Sequence, residues 1–358
     1  MILKKSFHKL KPMICYALKA NFNSKIIKIL SNLGSGIDVV SSGELEQSLS
    51  NGIDKKKIVF SGVGKTNKEI EIAIKNNIKQ INVESEEELD EIFESCKKLK
   101  KQVNICLRVN PDVDAKTHEK ISTGRSEDKF GIANERIYKI FKRYHKNNFI
   151  NVTGLSIHIG SQIESLNPFK KAFKKIKRQI LNLRKEGFKV SSLDLGGGIG
   201  IKYNDKNKIL DIQAYAKIIE ELFADFDLEI ILEPGRYLVG SSGIILSKVI
   251  RTKEGKEKNF LIIDAGMNNL IRPALYEAYH NIIPVRIEKK SKMKTYDIVG
   301  PICETSDVFI KKIKTQAFKK DDLVAICSTG AYSSCMASRY NLKELADEIF
   351  IRKKNLDL

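Results

Sequence analysis

Ile14-Cys-Tyr-Ala-Leu-Lys-Ala-Asn21 brings an apolar strand to a stop on a lysine. Ile14 to Leu18 reads as a short buried strand, because apolar and aromatic residues run unbroken, and Asn21 to Ser24 supply turn chemistry. An ammonium at the edge of a core is unfavourable unless something uses it. One use is a Schiff base, since desolvation lowers a lysine pKa and frees the neutral amine as a nucleophile. The plainer alternative is a lysine that snorkels to solvent from a strand end. Lys19 alone does not choose between them.

Outward from Lys19, the chain alternates β-rich runs with helical patterns as far as residue 236. The strand candidates are Ile14–Leu18, Ile37–Ser41, Lys57–Ser61, Gln80–Glu84, Asn104–Asn110, Leu155–Ile159, Ser192–Leu195 and Glu229–Glu233. Thr66 with Glu69 and Ser85 with Glu88 have capping-box spacing, and Pro168 stands near the start of a lysine-rich helix. Gly34, Gly52 and Gly187 fall where helices should end. Eight strands alternating with helices predict an α/β protein with a closed (β/α)8 barrel of the TIM type over residues 14–239. After Gly240 the pattern changes. Ile244–Ile250, Phe260–Ile263, Ile282–Ile287, Thr295–Val299, Asp307–Ile310 and Leu323–Ser328 are strand-like, and helical periodicity returns only near Leu342–Ile349. Residues 240–358 therefore read as a mostly antiparallel β domain.

The bulk composition is globular, with 358 residues, 42% hydrophobic and 30% charged. No apolar run approaches the roughly 18 residues of a membrane span. Met1 to Lys11 is basic without an apolar stretch, so it is not read as a secretory signal. The six cysteines form no Cys-x-x-Cys pair, which argues against a zinc site and a disulfide framework and for a reducing, cytoplasmic setting. The net charge of +19 is spread along the chain. Its densest run, Lys170 to Arg178, is the solvated face of a helix whose other face carries Phe169, Phe173, Ile176 and Ile180. Without a reading motif this charge does not predict nucleic-acid binding, though a diffuse positive field helps gather anions.

Reactive groups of a (β/α)8 barrel collect at the C-terminal ends of its strands. Lys19 stands at the end of strand 1 and His158 at the end of strand 6. Gly196-Gly-Gly-Ile-Gly200 follows strand 7, and Glu233-Pro-Gly-Arg236 closes strand 8. Each has a plainer reading: a core histidine, a tight glycine turn, a capped turn with a local ion pair. Together they point to one barrel mouth. A lysine for a Schiff base, glycines for a phosphate, an imidazole against a ring and a carboxylate for a pyridine nitrogen suit pyridoxal phosphate. No metal is implied.

At this point the chain resembles the diaminopimelate decarboxylases, among the alanine-racemase-like (fold type III) pyridoxal-phosphate enzymes. The resemblance is carried by Tyr16-Ala-Leu-Lys-Ala-Asn21, Val59-Phe-Ser-Gly-Val-Gly-Lys65, Lys129-Phe-Gly-Ile132, His158-Ile-Gly-Ser-Gln162 and Leu195-Gly-Gly-Gly198. It continues through Glu233-Pro-Gly-Arg236, Arg272-Pro-Ala-Leu-Tyr276, Gly300-Pro-Ile-Cys-Glu-Thr305 and Gly330-Ala-Tyr332. It implies a cofactor held by Lys19, with His158 stacked on its ring and Glu233 against the pyridine nitrogen. Ser161, Gly196, Gly197, Gly198, Pro234, Gly235, Arg236 and Tyr332 would surround the cofactor, chiefly its phosphate. Arg236, Arg272, Tyr276, Glu304 and Tyr332 would contact an amino-acid substrate, and Cys303 would be the acid that protonates the carbanion. On its own Cys303 would more often be a buried small hydrophobe. The implied activity is decarboxylation of meso-2,6-diaminopimelate to L-lysine, in a homodimer whose cysteine loop serves the partner's lysine.

The alternatives are an ornithine- or arginine-type decarboxylase on the same fold, and an inert regulatory relative. Glu304 and the Arg272/Tyr276 pair favour a substrate with a second carboxylate. Two departures from the family pattern stand out. Met1–Lys11 resembles the tail of a helix from a longer segment whose strand would join the β domain, and Arg339 occupies a position where asparagine is usual.

Overall fold

The computed structural model describes residues 2–351 except 116–122, 126, 206 and 289. The described chain divides into two compact units, Met1–Lys202 with Lys206–Leu238, and Tyr203–Asp205 with Val239–Leu358.

The first unit is a closed parallel barrel of β1 (Met13–Ala17), β2 (Gly36–Val39), β3 (Ile58–Phe60), β4 (Gln80–Val83), β5 (Val103–Arg108), β6 (Ile150–Ser156), β7 (Ser192–Asp194) and β8 (Glu229–Leu232). β8 pairs back onto β1 in parallel, Met13 opposite Ile231 and Ile14 opposite Leu232, so the sheet has no edge. A short helix α1 (Ile2–Lys5) precedes the barrel; the backbone N–H groups of His8, Lys9 and Leu10 donate to the Glu220 carboxylate and tie this arm down.

Among the described residues seven α-helices alternate with the strands: α2 (Ser24–Asn32), α3 (Ser42–Ser50), α4 (Asn67–Asn76), α5 (Glu86–Leu99), α6 (Asn134–Tyr144), α7 (Leu166–Lys185) and α8 (Ile212–Phe223). Their start and stop chemistry follows the sequence in most places. Thr66 and Glu69 make a full capping box on α4, and Gly34, Gly52 and Gly187 adopt φ of +85°, +76° and +84° just past helix ends. On α5 only half of the expected box forms. The Ser85 hydroxyl accepts from the Glu88 N–H, but the Glu88 carboxylate turns away to the buried Lys65 ammonium at 2.6 Å and to the Glu84 N–H at 2.8 Å. A buried ammonium needs that partner more than an exposed helix start does. In α7, Phe169, Phe173, Ile176 and Ile180 are buried, as the lysine-rich pattern requires.

Strand alternation decides what points into the barrel. Cys15, Val59 and Ile231 pack together inside it, with Met13 against them. Two residues further along β3 and β8 the same inward face presents Ser61 and Glu233. The apolar plug thus lies beneath a polar layer that opens at the C-terminal rim.

The second unit is a six-stranded sheet of β9 (Ile245–Glu254), β10 (Asn259–Ile263), β11 (Ile282–Pro284), β12 (Met293–Val299), β13 (Val308–Gln316) and β14 (Leu323–Ile326), in the order β11-β14-β9-β10-β12-β13. All its pairings are antiparallel except β10 with β12. Its core gathers Val249, Leu261, Ile263, Tyr296, Ile298 and Val324. α9 (Arg236–Val239), at the end of the first unit, and α10 (Arg272–Tyr276) in the second are single turns. The helix expected near Leu342–Ile349 does not form. That stretch has no regular secondary structure and is mostly exposed; short 3-10 turns at Ser334–Met336 and Tyr340–Leu342 lead into it.

Candidate active site

Lys19 sits in a 3-10 turn, Leu18–Ala20, directly after β1. Its ammonium lies 3.3 Å from the Asp38 carboxylate at the end of β2. The lysine side chain is 40% exposed and Asp38 fully buried. Lys19 is thus partly open and ion-paired rather than fully desolvated.

Behind it lies a buried acid cluster. Ser61 and Asn82 both donate to the Glu233 carboxyl at 3.3 Å, and Asn82 also donates to Asp194 at 2.9 Å. The Gly196 N–H donates to the other oxygen of Asp194 at 2.9 Å. Burial, then the Asp194 and Asp38 charges, pushes the Glu233 carboxyl well above the usual carboxylate range. Asp194 is pushed up by burial too, while the hydrogen bonds from Asn82 and Gly196 pull it back. Two buried carboxyls sharing the Asn82 amide favour keeping a proton between them. Gln80 donates to Asn82 at 2.9 Å and extends the polar layer below.

His158, after β6, is buried and held well below its ordinary pKa by burial, then by Arg108 and Lys19. It is a neutral imidazole. Its Nδ1 accepts from the Gly197 N–H at 3.2 Å, which leaves the proton on Nε2. A Cβ at Gly196 would lie 2.4 Å from the Ile157 carbonyl and 2.9 Å from the His158 Nδ1; one at Gly197 would lie 2.2 Å from the Glu233 carbonyl. Only glycine lets this loop lie so close to the histidine and the β8 end. The loops after β6 and β7 are zipped together. Ile163 N–H donates to Gly198, Gly200 N–H donates to Ile163, and the Gln162 amide bonds Ile201 in both directions. Arg236, buried at the start of α9, donates to the Ser161 hydroxyl at 3.1 Å. Pro234 accepts from the Ala17 N–H, and Gly235 faces Ala17 and Ala20 so closely that a Cβ would sit 3.1 Å from both methyls.

The first unit thus gathers Lys19, His158, Ser161, the Gly196–Gly198 loop and the Glu233–Arg236 turn at one rim. Four further groups there were not singled out from the sequence: Asp38, Ser61, Asn82 and Asp194. Arg108 and Glu84 join them, buried and paired at 2.6 Å, with the guanidinium 4.7 Å over the Phe130 ring. The available signal was alternation. Gln80 and Asn82, or Ser192 and Asp194, are polar residues two apart in otherwise apolar strands.

In the second unit Arg272 and Tyr276 open and close α10. Cys303 and Glu304 occupy the loop between β12 and β13, and both are exposed, so Cys303 is not a core hydrophobe. The Cys303 N–H donates to Asn341 at 3.0 Å and the Tyr340 hydroxyl donates to Glu304. Tyr332 follows β14 with φ of +57°.

Residues 2–240 match the pyridoxal binding domain of the pyridoxal-dependent decarboxylases. A diaminopimelate decarboxylase of Neisseria meningitidis serogroup A is 45% identical over 97% of this chain and 84% of its own length. This chain belongs to the diaminopimelate decarboxylase family. A second family member, from Aquifex aeolicus, is 42% identical over 97% of this chain and 82% of its own. The crystal structure of the Helicobacter pylori diaminopimelate decarboxylase complexed with L-lysine superposes with a TM-score of 0.91, at 41% identity, covering 95% of this chain and 84% of that one.

The residues present fit the cofactor that this decarboxylase family uses. Three buried carboxyls converge on one spot, and one oxygen of Asp38 has no hydrogen-bond partner among the described residues. A protonated ring nitrogen is the kind of charge such a cluster accommodates. The neutral His158 presents a flat face, and the glycine loop, Ser161 and Arg236 supply donors suited to a phosphate.

Proposed function

We propose that the chain decarboxylates meso-2,6-diaminopimelate to L-lysine and carbon dioxide, the last step of lysine biosynthesis. The observation that carries this reading is the Lys19 amine paired with Asp38 at the rim above the buried Glu233–Asn82–Asp194 cluster, in a member of this family. Pyridoxal phosphate, when bound, supplies the electron sink that allows a carboxylate to leave as carbon dioxide.

The chain's own residues take these parts. Lys19 is the amine that holds the cofactor's aldehyde carbon. Glu233 keeps a proton at the ring nitrogen, with Asp194 and Asn82 holding its carboxyl in place. His158 covers a ring face, while Ser161, Gly196, Gly197, Gly198, Gly235, Arg236 and Tyr332 bind phosphate. Arg272 clamps the substrate's distal carboxylate by a bidentate contact, and Glu304 meets its distal ammonium. Tyr276 lines the same pocket. When the carbon–carbon bond to the departing carboxylate breaks, its electron pair stays on the α-carbon and takes a proton from the Cys303 thiol.

The chain acts as a homodimer in which Cys303 and Glu304 complete a partner's Lys19 site. A cytoplasmic location is supported by six free cysteines. No helix among the described residues is long and apolar enough to cross a membrane. Glu304 with the Arg272/Tyr276 pair argues against ornithine or arginine as substrate.

Carbon dioxide release from meso-diaminopimelate, ornithine, arginine and lysine tests the reading; it requires diaminopimelate to be turned over far faster than the rest, and comparable rates would refute it. Exchanging subunits between inactive Lys19→Ala and Cys303→Ala proteins tests the shared site. Random pairing makes about half the dimers mixed, each with one intact site, so roughly a quarter of wild-type activity should return. None would return if each site came from one chain.

A further inference from the structure

Arg272 is 4% exposed, and neighbours in the second unit help to hold it. Its Nη1 lies 2.6 Å from the Nε2 of His280, itself 1% exposed. The guanidinium also lies 4.7 Å over the Tyr203 ring. The other ring nitrogen of His280, Nδ1, is 2.9 Å from the Cys327 carbonyl. These two bonds assign the tautomer. A carbonyl only accepts, so Nδ1 carries the hydrogen; a guanidinium only donates, so Nε2 carries the lone pair. His280 is therefore a neutral base bridging β14 and α10. Pairing of β11 with β14, Ile282 opposite Ile326, sets where the ring stands, and the Cys327 N–H donates to Asn281 beside it.

We propose that His280 is a positioning residue for diaminopimelate recognition, acting through Arg272, with Tyr203 as the face on which the guanidinium rests. The inference rests on Arg272 being the clamp for the distal carboxylate. A guanidinium is a rigid planar fork. Committing Nη1 to His280 fixes the rotation of the whole plane and aims the edge formed by Nε and Nη2, whose spacing matches the two oxygens of a carboxylate. The neutral imidazole accepts from the guanidinium without bringing a charge of its own.

Two variants separate positioning from scaffolding. His280→Asn keeps a donor near the Nδ1 position for Cys327 and removes the acceptor for Arg272. His280→Gln keeps an acceptor near the Nε2 position and gives up the Cys327 bond. His280→Asn is expected to raise KM for meso-diaminopimelate about tenfold with kcat within about twofold, the loss of one charge-assisted hydrogen bond; His280→Gln should stay within about threefold of wild type. Calorimetric binding of L-lysine, which retains the distal carboxylate, and of cadaverine, which has none, supplies the second readout. The preference for L-lysine should fall about tenfold in His280→Asn while cadaverine binding is unchanged. Equal weakening of both ligands, or damage confined to His280→Gln, would overturn the proposal in favour of a structural role. Arg272→Leu distinguishes the underlying reading: an unchanged KM there refutes the clamp itself, whereas a raised KM beside a silent His280→Asn refutes only the positioning. If His280→Asn fails to fold by circular dichroism, Tyr203→Leu takes its place in the same two-ligand comparison, with the same expected and contrary results.

Discussion

Burial holds the Glu44 carboxyl up to about 7, although the Val40 N–H donates to it at 2.8 Å and Lys19 pulls the other way. A carboxyl that binds its proton more tightly in the fold than in the unfolded chain favours the fold at low pH. Its contribution is complete below its ordinary value near 4.5 and is lost as pH rises through about 7. Glu44→Gln keeps an acceptor for Val40 and removes the titration. Its melting temperature should therefore fall less than that of the wild type between about pH 5 and about pH 8. Parallel melting profiles would contradict this. At the same scale, Lys19, His158, Glu233 and Arg236 were legible because they end strands, where an apolar run gives way to chemistry. Asp38, Asn82 and Asp194 were not, since each is flanked on both sides by apolar residues. Whether such a side chain faces the barrel axis or the helices depends on closure of the sheet, which β8 completes on β1 far away in sequence.

The glycine loop after β7 is the element on which the cofactor reading leans most. Gly196 and Gly198 adopt φ of +65° and +97°, and the Gly197 N–H is bound to His158. Gly197→Ala would press a methyl against the Glu233 carbonyl, at 2.2 Å before relaxation. Overpacking of this kind costs about 1–3 kcal/mol. The variant should melt several degrees lower, and pyridoxal phosphate titrated into the apoprotein should bind at least about tenfold more weakly. Wild-type affinity in that titration would separate this loop from the phosphate. Most helices of the barrel were legible because their apolar stripes meet the sheet and their caps are local. The C-terminal stretch shows the limit of that signal. Leu342, Leu345 and Ile349 have helical spacing but are 93%, 47% and 85% exposed, and a stripe with nothing to bury against does not hold a helix. β13 erred the other way. Val308–Gln316 runs well past the expected Ile310, because its later lysines face solvent while the backbone continues to pair with β12.

On the scale of the molecule, the order of elements was enough for a closed barrel followed by a β sheet, because eight strands alternating with helices leave few other ways to bury both faces of a parallel sheet. The order within the second sheet was not legible. The parallel pairing of β10 with β12 joins strands separated in sequence by α10 and β11, and no local pattern encodes it. The charge of the molecule also bears on the central claim. With 63 lysines and arginines against 44 acidic residues, the chain offers many amines to an aldehyde, and Lys19 is distinguished only by its surroundings: Asp38 beside it and the acid cluster behind. Borohydride reduction of the pyridoxal-phosphate-loaded protein, followed by peptide mass mapping, reads this directly and without an activity assay. The account predicts one phosphopyridoxyl group per chain, on Lys19; a stoichiometric adduct on another lysine, or adducts scattered over the surface with Lys19 unmodified, would contradict it.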